Sequence, residues 1–265
     1  MDNVRQPAVA GMFYPADPET LREQLKELFS GLEEQGKYNS VISPHAGYIY
    51  SGRAAAQAIS GLKPSKTFII LGPNHTLIGP TFSIMTSGSW VTPLGNCSIN
   101  EEVAKQLKEN ELLQEDTLAH EHEHSIEVQL PLLQHRFKEF DFVPISVGNS
   151  GFSETFLENC KSIGEAIADI GVPVIASSDF SHYIPFEEAK KLDMEAIKDI
   201  ENLDLEGFFE TLKRNNASIC GFGPIAIVMS AMKKQNGKGK LIAYTSSGEE
   251  TKDYDSVVAY AAIGF

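Results

Sequence analysis

Short apolar runs alternate with amphipathic stretches along almost the whole chain, and that alternation restricts the fold more than any other feature. "NSVIS" (Asn39 to Ser43), "KTFIILG" (Lys66 to Gly72), "FDFVPISVG" (Phe140 to Gly148) and "VPVIASS" (Val172 to Ser178) read as strands. So do "KLIAYTSSG" and "SVVAYAAIGF" near the C-terminus, rich in β-branched and aromatic residues. Between them lie helical patterns. The first has Asp17 as N-cap, Pro18 at the first helical position, and Leu21, Leu25, Leu28 and Phe29 on one stripe. Others run near Arg53 to Ile59, Glu101 to Asn110, Ile126 to Arg136, Glu154 to Ile170, Glu187 to Ile200 and Leu205 to Arg214, and a further one has Pro224 in its first turn. Strands in this order are covered by helices on both faces, which predicts an α/β fold with three α/β/α layers and a mixed central sheet. With no repeat, linker or composition break, residues 1–265 form one domain.

Three strands end in chemistry. "VISPHAGYIYSG" places His45 just past the first, "FIILGPNHTLIG" places Asn74 and His75 past the second, and "VIASSDFSHY" places Asp179 and His182 past the third. Loops at the carboxyl ends of strands line the ligand crevice of open α/β sheets. A single histidine there is as readily structural as functional; three strands delivering such groups to one edge favour a site. A fourth element, "ASICGFGPIAIV", sets Cys220 shortly before a helix start, where the macrodipole favours thiolate. Cys97 and Cys160 lack such context and read as structural. With Cys220 as nucleophile, a histidine as base and Asp179 as orienting carboxylate, the set describes a hydrolase. With two imidazoles and one thiolate on a first-row ion, it describes a metal centre. The excess of histidines over one base favours the metal, with Asp179 and His182 moving protons or tuning the ligands.

The stretch "AHEHEHSIEVQLPLL" carries His120, His122 and His124 at alternate positions. In an extended segment all three would share a side; in a helix only His120 and His124 would. Ser125 reads as the N-cap of the next helix, with Pro131 inside it leaving the Glu127 carbonyl unpaired and a kink. That puts His124 at the helix entry, directed into the crevice, and leaves His120 and His122 as bystanders in a solvated, Glu-flanked loop.

Acidic residues outnumber basic ones 36 to 22, for a formal net charge of −14. That excess disfavours a nucleic-acid partner, and the one basic run, "MKKQNGKGK" from Met232, reads as a solvated turn. Three widely spaced cysteines do not make a secreted disulfide framework. No signal-like N-terminus and no apolar stretch near the ~20 residues of a membrane span are present, so the expectation is a cytoplasmic protein with no membrane partner. Nothing in the sequence sets an oligomeric state.

In "AVAGMFYP", "PHAGYIYSG", "LGPNH", "EHEHSIEVQLP", "SSDFSH" and "SICGFGPI", in that order, the chain resembles the Memo family from end to end. Members in bacteria and archaea include the B component of the AmmeMemoRadiSam system. The resemblance implies a LigB-like fold, shared with class III non-haem-iron extradiol dioxygenases. It implies His45, His75 and Cys220 as metal ligands, His124, Asp179 and His182 around the same pocket, and iron(II) or copper as the metal. Those dioxygenases hold iron with two histidines and a carboxylate, whereas the third position here is Cys220. The expectation is therefore a redox metalloprotein, an iron- or copper-dependent oxidoreductase. The alternatives are a non-catalytic module for a peptide or small-molecule ligand such as a small anion, and the cysteine hydrolase.

Overall fold

The computed structural model describes residues 3–33 and 36–265. In chain order the elements are β1 (Val4–Arg5), α1 (Pro18–Leu28), β2 (Ser40–Ser43), α2 (Tyr48–Gly61), β3 (Thr67–Pro73), β4 (Phe82–Ile84), β5 (Ser89–Thr92) and β6 (Gly95–Ile99). Then follow α3 (Glu101–Leu107), β7 (Gln114–Glu115), α4 (Leu118–Glu121), α5 (Gln129–Phe137), β8 (Asp141–Val147), α6 (Glu154–Ile170), β9 (Val174–Ser177) and β10 (His182–Ile184). The chain closes with α7 (Phe186–Asn202), α8 (Leu205–Asn215), α9 (Phe222–Lys234), β11 (Lys240–Ser246), α10 (Gly248–Thr251) and β12 (Val257–Gly264).

The mixed sheet runs β1-β5-β6-β8-β3-β9-β2-β12-β10, with β11 paired to β12 and β4 to β8. Its centre, β8-β3-β9-β2, is parallel, and β12 adds to it antiparallel. β3 is buried along its whole length and β8 from Phe142 to Val147, as parallel strands covered on both faces must be. Helices α1, α2 and α5 pack together, with α2 against β2 and β12; α9 lies on β2, β3 and β9 with α6 against it. The three-layer α/β/α expectation holds.

Local chemistry sets several boundaries. Asp17 accepts from the Thr20 N–H at 2.9 Å and Ser153 from the Phe156 N–H at 3.2 Å, so α1 and α6 begin where their caps lie. α9 is apolar all round and buried from Phe222 to Met232, which fixes the chain just before it, including Cys220, against the sheet. α2 starts at Tyr48, five residues ahead of the expected Arg53.

The stretch around the histidines departs from expectation. Ser125 caps no helix: its hydroxyl donates to the Pro73 carbonyl at 2.8 Å, and α5 starts only at Gln129. Pro131 therefore lies in the first turn, where no helical N–H bond is due, and the Glu127 carbonyl accepts from the Leu130 N–H at 3.0 Å. The expected unpaired carbonyl is absent, and with it the reason for a kink. His120 is fully buried rather than solvated, with Nε2 3.2 Å from the Ser83 hydroxyl and its ring edge-on to Trp90. His122 is exposed at the end of α4.

What holds this stretch is a buried ion pair. Glu127 accepts from Arg5 Nη1 at 2.7 Å, from the Ala8 and Val9 N–H groups at 2.7 and 3.0 Å, and from the Tyr14 hydroxyl at 2.6 Å. Arg5 donates in turn to the carbonyls of His120 and Glu123, at 2.6 and 2.7 Å, and lies over the Trp90 ring. Removing one partner strands the other charge in the interior, so Glu127→Gln should cost about 3–5 kcal/mol in denaturant unfolding. The double variant with Arg5→Met should cost less than the sum of the single changes. A Glu127→Gln protein as stable as the parent would show that the pair does not hold the segment.

Candidate metal centre

The parallel strands bring their C-terminal loops together. His45 follows β2, His75 follows β3 and Asp179 follows β9, while Cys220 arrives from the start of α9. Two glycines permit the approach. A Cβ at Gly221 would overlap the Ser178 side chain and the Ser177 carbonyl oxygen, and one at Gly72 would overlap Ser125 and Ile126. The first brings the Cys220 loop onto that of Asp179, the second brings β3 onto the segment of His124.

Among the described residues, the ligand atoms of His45, His75 and Cys220 all lie within 4.8 Å of one another, and so do those of His75, Glu123 and His124. Ring geometry separates the two groups. His45 and His75 stand at 79° to each other, so their lone pairs can meet at one point. His75 and His124 are stacked at 19° with centroids 4.7 Å apart, so in-plane lone pairs run side by side and do not converge. The first group could hold a metal ion; in the second, Glu123 holds His75.

Hydrogen-bond partners orient both imidazoles. His45 Nδ1 lies 2.9 Å from the Ser177 hydroxyl. That hydroxyl gives its single proton to the Ser125 carbonyl at 2.6 Å and accepts from Gln129 Nε2 at 2.9 Å. Having no second proton, it can only accept from His45, which places the ring proton on Nδ1. Nε2 is left with its lone pair toward Cys220 Sγ, 3.2 Å away. His75 Nδ1 lies 2.9 Å from Glu123 Oε1, and its backbone N–H donates to Oε2 at 2.5 Å, so the same logic leaves Nε2 as its ligand atom. A carboxylate behind a ligating histidine is a recurrent device for fixing ring orientation and raising basicity.

The electrostatics follow from burial. His45, 2% exposed, is held well below the usual histidine range by desolvation and by the neighbouring imidazoles. Burial alone would lower His75 too, but the hydrogen bond and charge of Glu123 raise it on balance. Glu123 shows the converse: burial would raise it, and the His75 bond and charge, His124 and the Ser125 N–H hold it down at about 2. Burial pushes the Asp179 carboxyl up to about 7, although it accepts from the His45 backbone N–H at 2.8 Å. Burial and Asp179 likewise push the Cys220 thiol up. The expected thiolate from the α9 macrodipole is thus outweighed by desolvation in the metal-free chain; a coordinated cation reverses that balance. The donor set, two oriented imidazoles and a soft sulfur, fits a first-row transition ion.

His124 stands beside the centre, stacked on His75, edge-on to His45 and against Phe13, and burial lowers its pKa. His182 lies outside the converging group; its Nδ1 is 2.9 Å from the Ser218 carbonyl. Side-chain exposure of 36% at His75 and 22% at His124 marks the open side. Sequence reasoning did not single out Glu123, Ser177, Gln129 or Asp193. Glu123 alone had a local signal, a carboxylate next to His124 in "EHEHSIE".

A family model described as "Memo-like protein" matches residues 5–264. A "MEMO1 family protein" of Methanosarcina barkeri is 44% identical over 98% of this chain and 99% of its own length. Another, from Thermoplasma volcanium, is 43% identical over 98% of this chain and 97% of its own. Among solved structures, an uncharacterized protein from Escherichia coli K12 shares the fold, with a TM-score of 0.54 and 12% identity over 85% of this chain and 99% of that one.

The loop carrying Asp179 and His182 is pinned by Asp193 of α7, which accepts from the Ser181 hydroxyl at 2.7 Å and from Tyr244 of β11 at 2.7 Å. Burial raises the Asp193 carboxyl to about 6 from an ordinary 3.8. The folded state therefore binds this proton more tightly than the unfolded chain does. Its contribution to stability grows as pH falls through about 6 toward 3.8 and is absent at neutral pH. Denaturation at pH 7 and pH 5 should show the parent gaining on Asp193→Asn at the lower pH; an unchanged gap would mean that the carboxyl titrates normally.

Proposed function

The chain belongs to the Memo family, and from that premise we propose that it is a metalloprotein with a redox role, holding iron(II) or copper through His45, His75 and Cys220. One observation carries the reading: His45 Nε2 and Cys220 Sγ lie 3.2 Å apart with His75 beside them, while the far nitrogen of each imidazole is engaged by Ser177 or Glu123. A bound ion of this kind supplies electron transfer and an open position for a small substrate. The protein's part is to hold the donors. Ser177 and Gln129 fix the His45 ring, Glu123 fixes His75, and Asp179 fixes the His45 backbone and offers a carboxyl whose proton is exchangeable near neutrality. His124, half-buried on the open side, is the group best set to exchange a proton with a substrate. His182, bonded to Ser218, supports that loop.

The cysteine-hydrolase alternative fits less well. The sequence put Asp179 behind the base, but Asp179 Oδ2 lies 4.0 Å from His45 Nε2, the nitrogen facing Cys220; the carboxylate that does meet a second ring nitrogen is Glu123, on His75. Burial also keeps Cys220 a thiol. A thiolate in place of the dioxygenase carboxylate favours softer or more oxidised ions, which points away from ring cleavage.

Elemental analysis of protein purified anaerobically should find near-stoichiometric iron or copper. Cys220→Ser, His45→Ala and His75→Ala should each weaken uptake by more than the roughly 10–100-fold typical of residues behind the ligands. Three variants that bind both metals like the parent would refute the assignment.

A further inference from the structure

Seven non-glycine residues among those described have positive φ. Five of them, Lys138, Leu203, Asn216, Asn236 and Lys252, lie at or just past helix C-termini, where a left-handed residue is ordinary and where Lys138 instead sits in a tight turn closed by the Glu139 N–H on the Phe137 carbonyl. The other two, Leu77 (φ 58°) and Tyr183 (φ 59°), end no helix, and each follows closely on a histidine of the pocket region. A bulky side chain in this region is strained, and such strain collects at functional sites. Leu77 is also 75% exposed, so packing in the folded protein does not offset its conformation.

Leu77 borders a cavity of about 240 Å³ whose floor includes His75 and Cys220 and whose walls include Val147, Phe222 and Pro224. No lysine or arginine lines it, and the carboxylates of Glu123 and Asp179 lie around the centre. In the metal-free chain an anion entering would meet these two carboxylates with no lysine or arginine to offset them, and would lose its water. The volume is below that of pockets for drug-sized molecules.

We propose that this cavity takes a small, uncharged ligand with an apolar body, and that Leu77 is the lip that closes over it and selects for it. An exposed leucine held at a cavity mouth gains burial only when something fills that cavity. The apolar body would lie between Leu77, Val147 and Phe222, with one donor atom directed at the His75–Cys220 floor. The inference rests on the metal reading only in taking that floor as the reactive end.

The test uses the full chain freed of metal, so that benzoate cannot bind as a ligand of an ion, with benzyl alcohol and benzoate, which share a carbon frame and differ in charge, followed by backbone amide NMR shifts. Benzyl alcohol should shift the amides of Leu77, Gly148 and Gly223 and bind about tenfold more tightly than benzoate, a gap of ~1.4 kcal/mol. Leu77→Gly, which relieves the strained φ, should weaken benzyl alcohol roughly fivefold, corresponding to ~1 kcal/mol of lost contact, with iron(II) uptake equal to the parent's. Tyr183→Gly relieves the same strain away from the cavity and should bind benzyl alcohol like the parent. Equal or tighter binding of benzoate, shifts confined to other amides, an unaffected Leu77→Gly, or equal weakening by Tyr183→Gly would each overturn the proposal. A parent that takes up no metal yet shows the expected benzyl alcohol pattern would overturn the metal reading and uphold this one.

Discussion

The buried pair of Arg5 and Glu127 is the interaction on which the centre's arrangement depends. A carboxylate with no exposure is tolerable only if every lone pair is used, and Glu127 uses its own on Arg5, Tyr14 and two backbone N–H groups. These contacts bind the N-terminal segment to the stretch from His120 to Glu127, with Arg5 gripping two of its carbonyls. With that stretch fixed, Glu123 reaches His75, and Ser125 presents its carbonyl to Ser177. Glu123 thus positions His75 directly and Ser125 positions His45 through Ser177, so both imidazoles depend on one segment, itself anchored by one ion pair.

The consequence for chemistry is directional. Ser177 has one proton and Glu123 has none to give, so both rings turn a donor N–H outward and a lone pair inward. Cys220 meets them because α9 is buried on all sides and Gly221 allows its loop to touch the Ser178 loop. Without a cation, the same burial that shapes the centre keeps the thiol protonated and His45 neutral. Binding an ion would then release the thiol proton, and affinity would rise with pH.

Much of this was legible in the sequence. The caps of α1 and α6, the largely apolar runs of β3 and β8, and the placement of His45, His75 and Asp179 after strands are local signals, and the structure keeps them. The misreadings came from residues whose local preference is overridden by tertiary contacts. Ser125 is a good helix cap, but its hydroxyl is used by Pro73 and its N–H by Glu123. His120 looks solvated among glutamates, yet Arg5 and Trp90 draw it inside, where burial lowers its pKa to about 4. Glu123 and Ser177 matter because of partners 48 and 132 residues away, which no local pattern encodes.

Both histidines present Nε2 lone pairs to Cys220. Long-range ¹⁵N–¹H NMR of the metal-free protein in alkaline buffer, with the rings neutral, reads this directly. His45 and His75 should both be Nδ1–H tautomers, each with an unprotonated Nε2. A proton on Nε2 of either ring would mean that Ser177 or Glu123 does not set its orientation, and would contradict the arrangement described here.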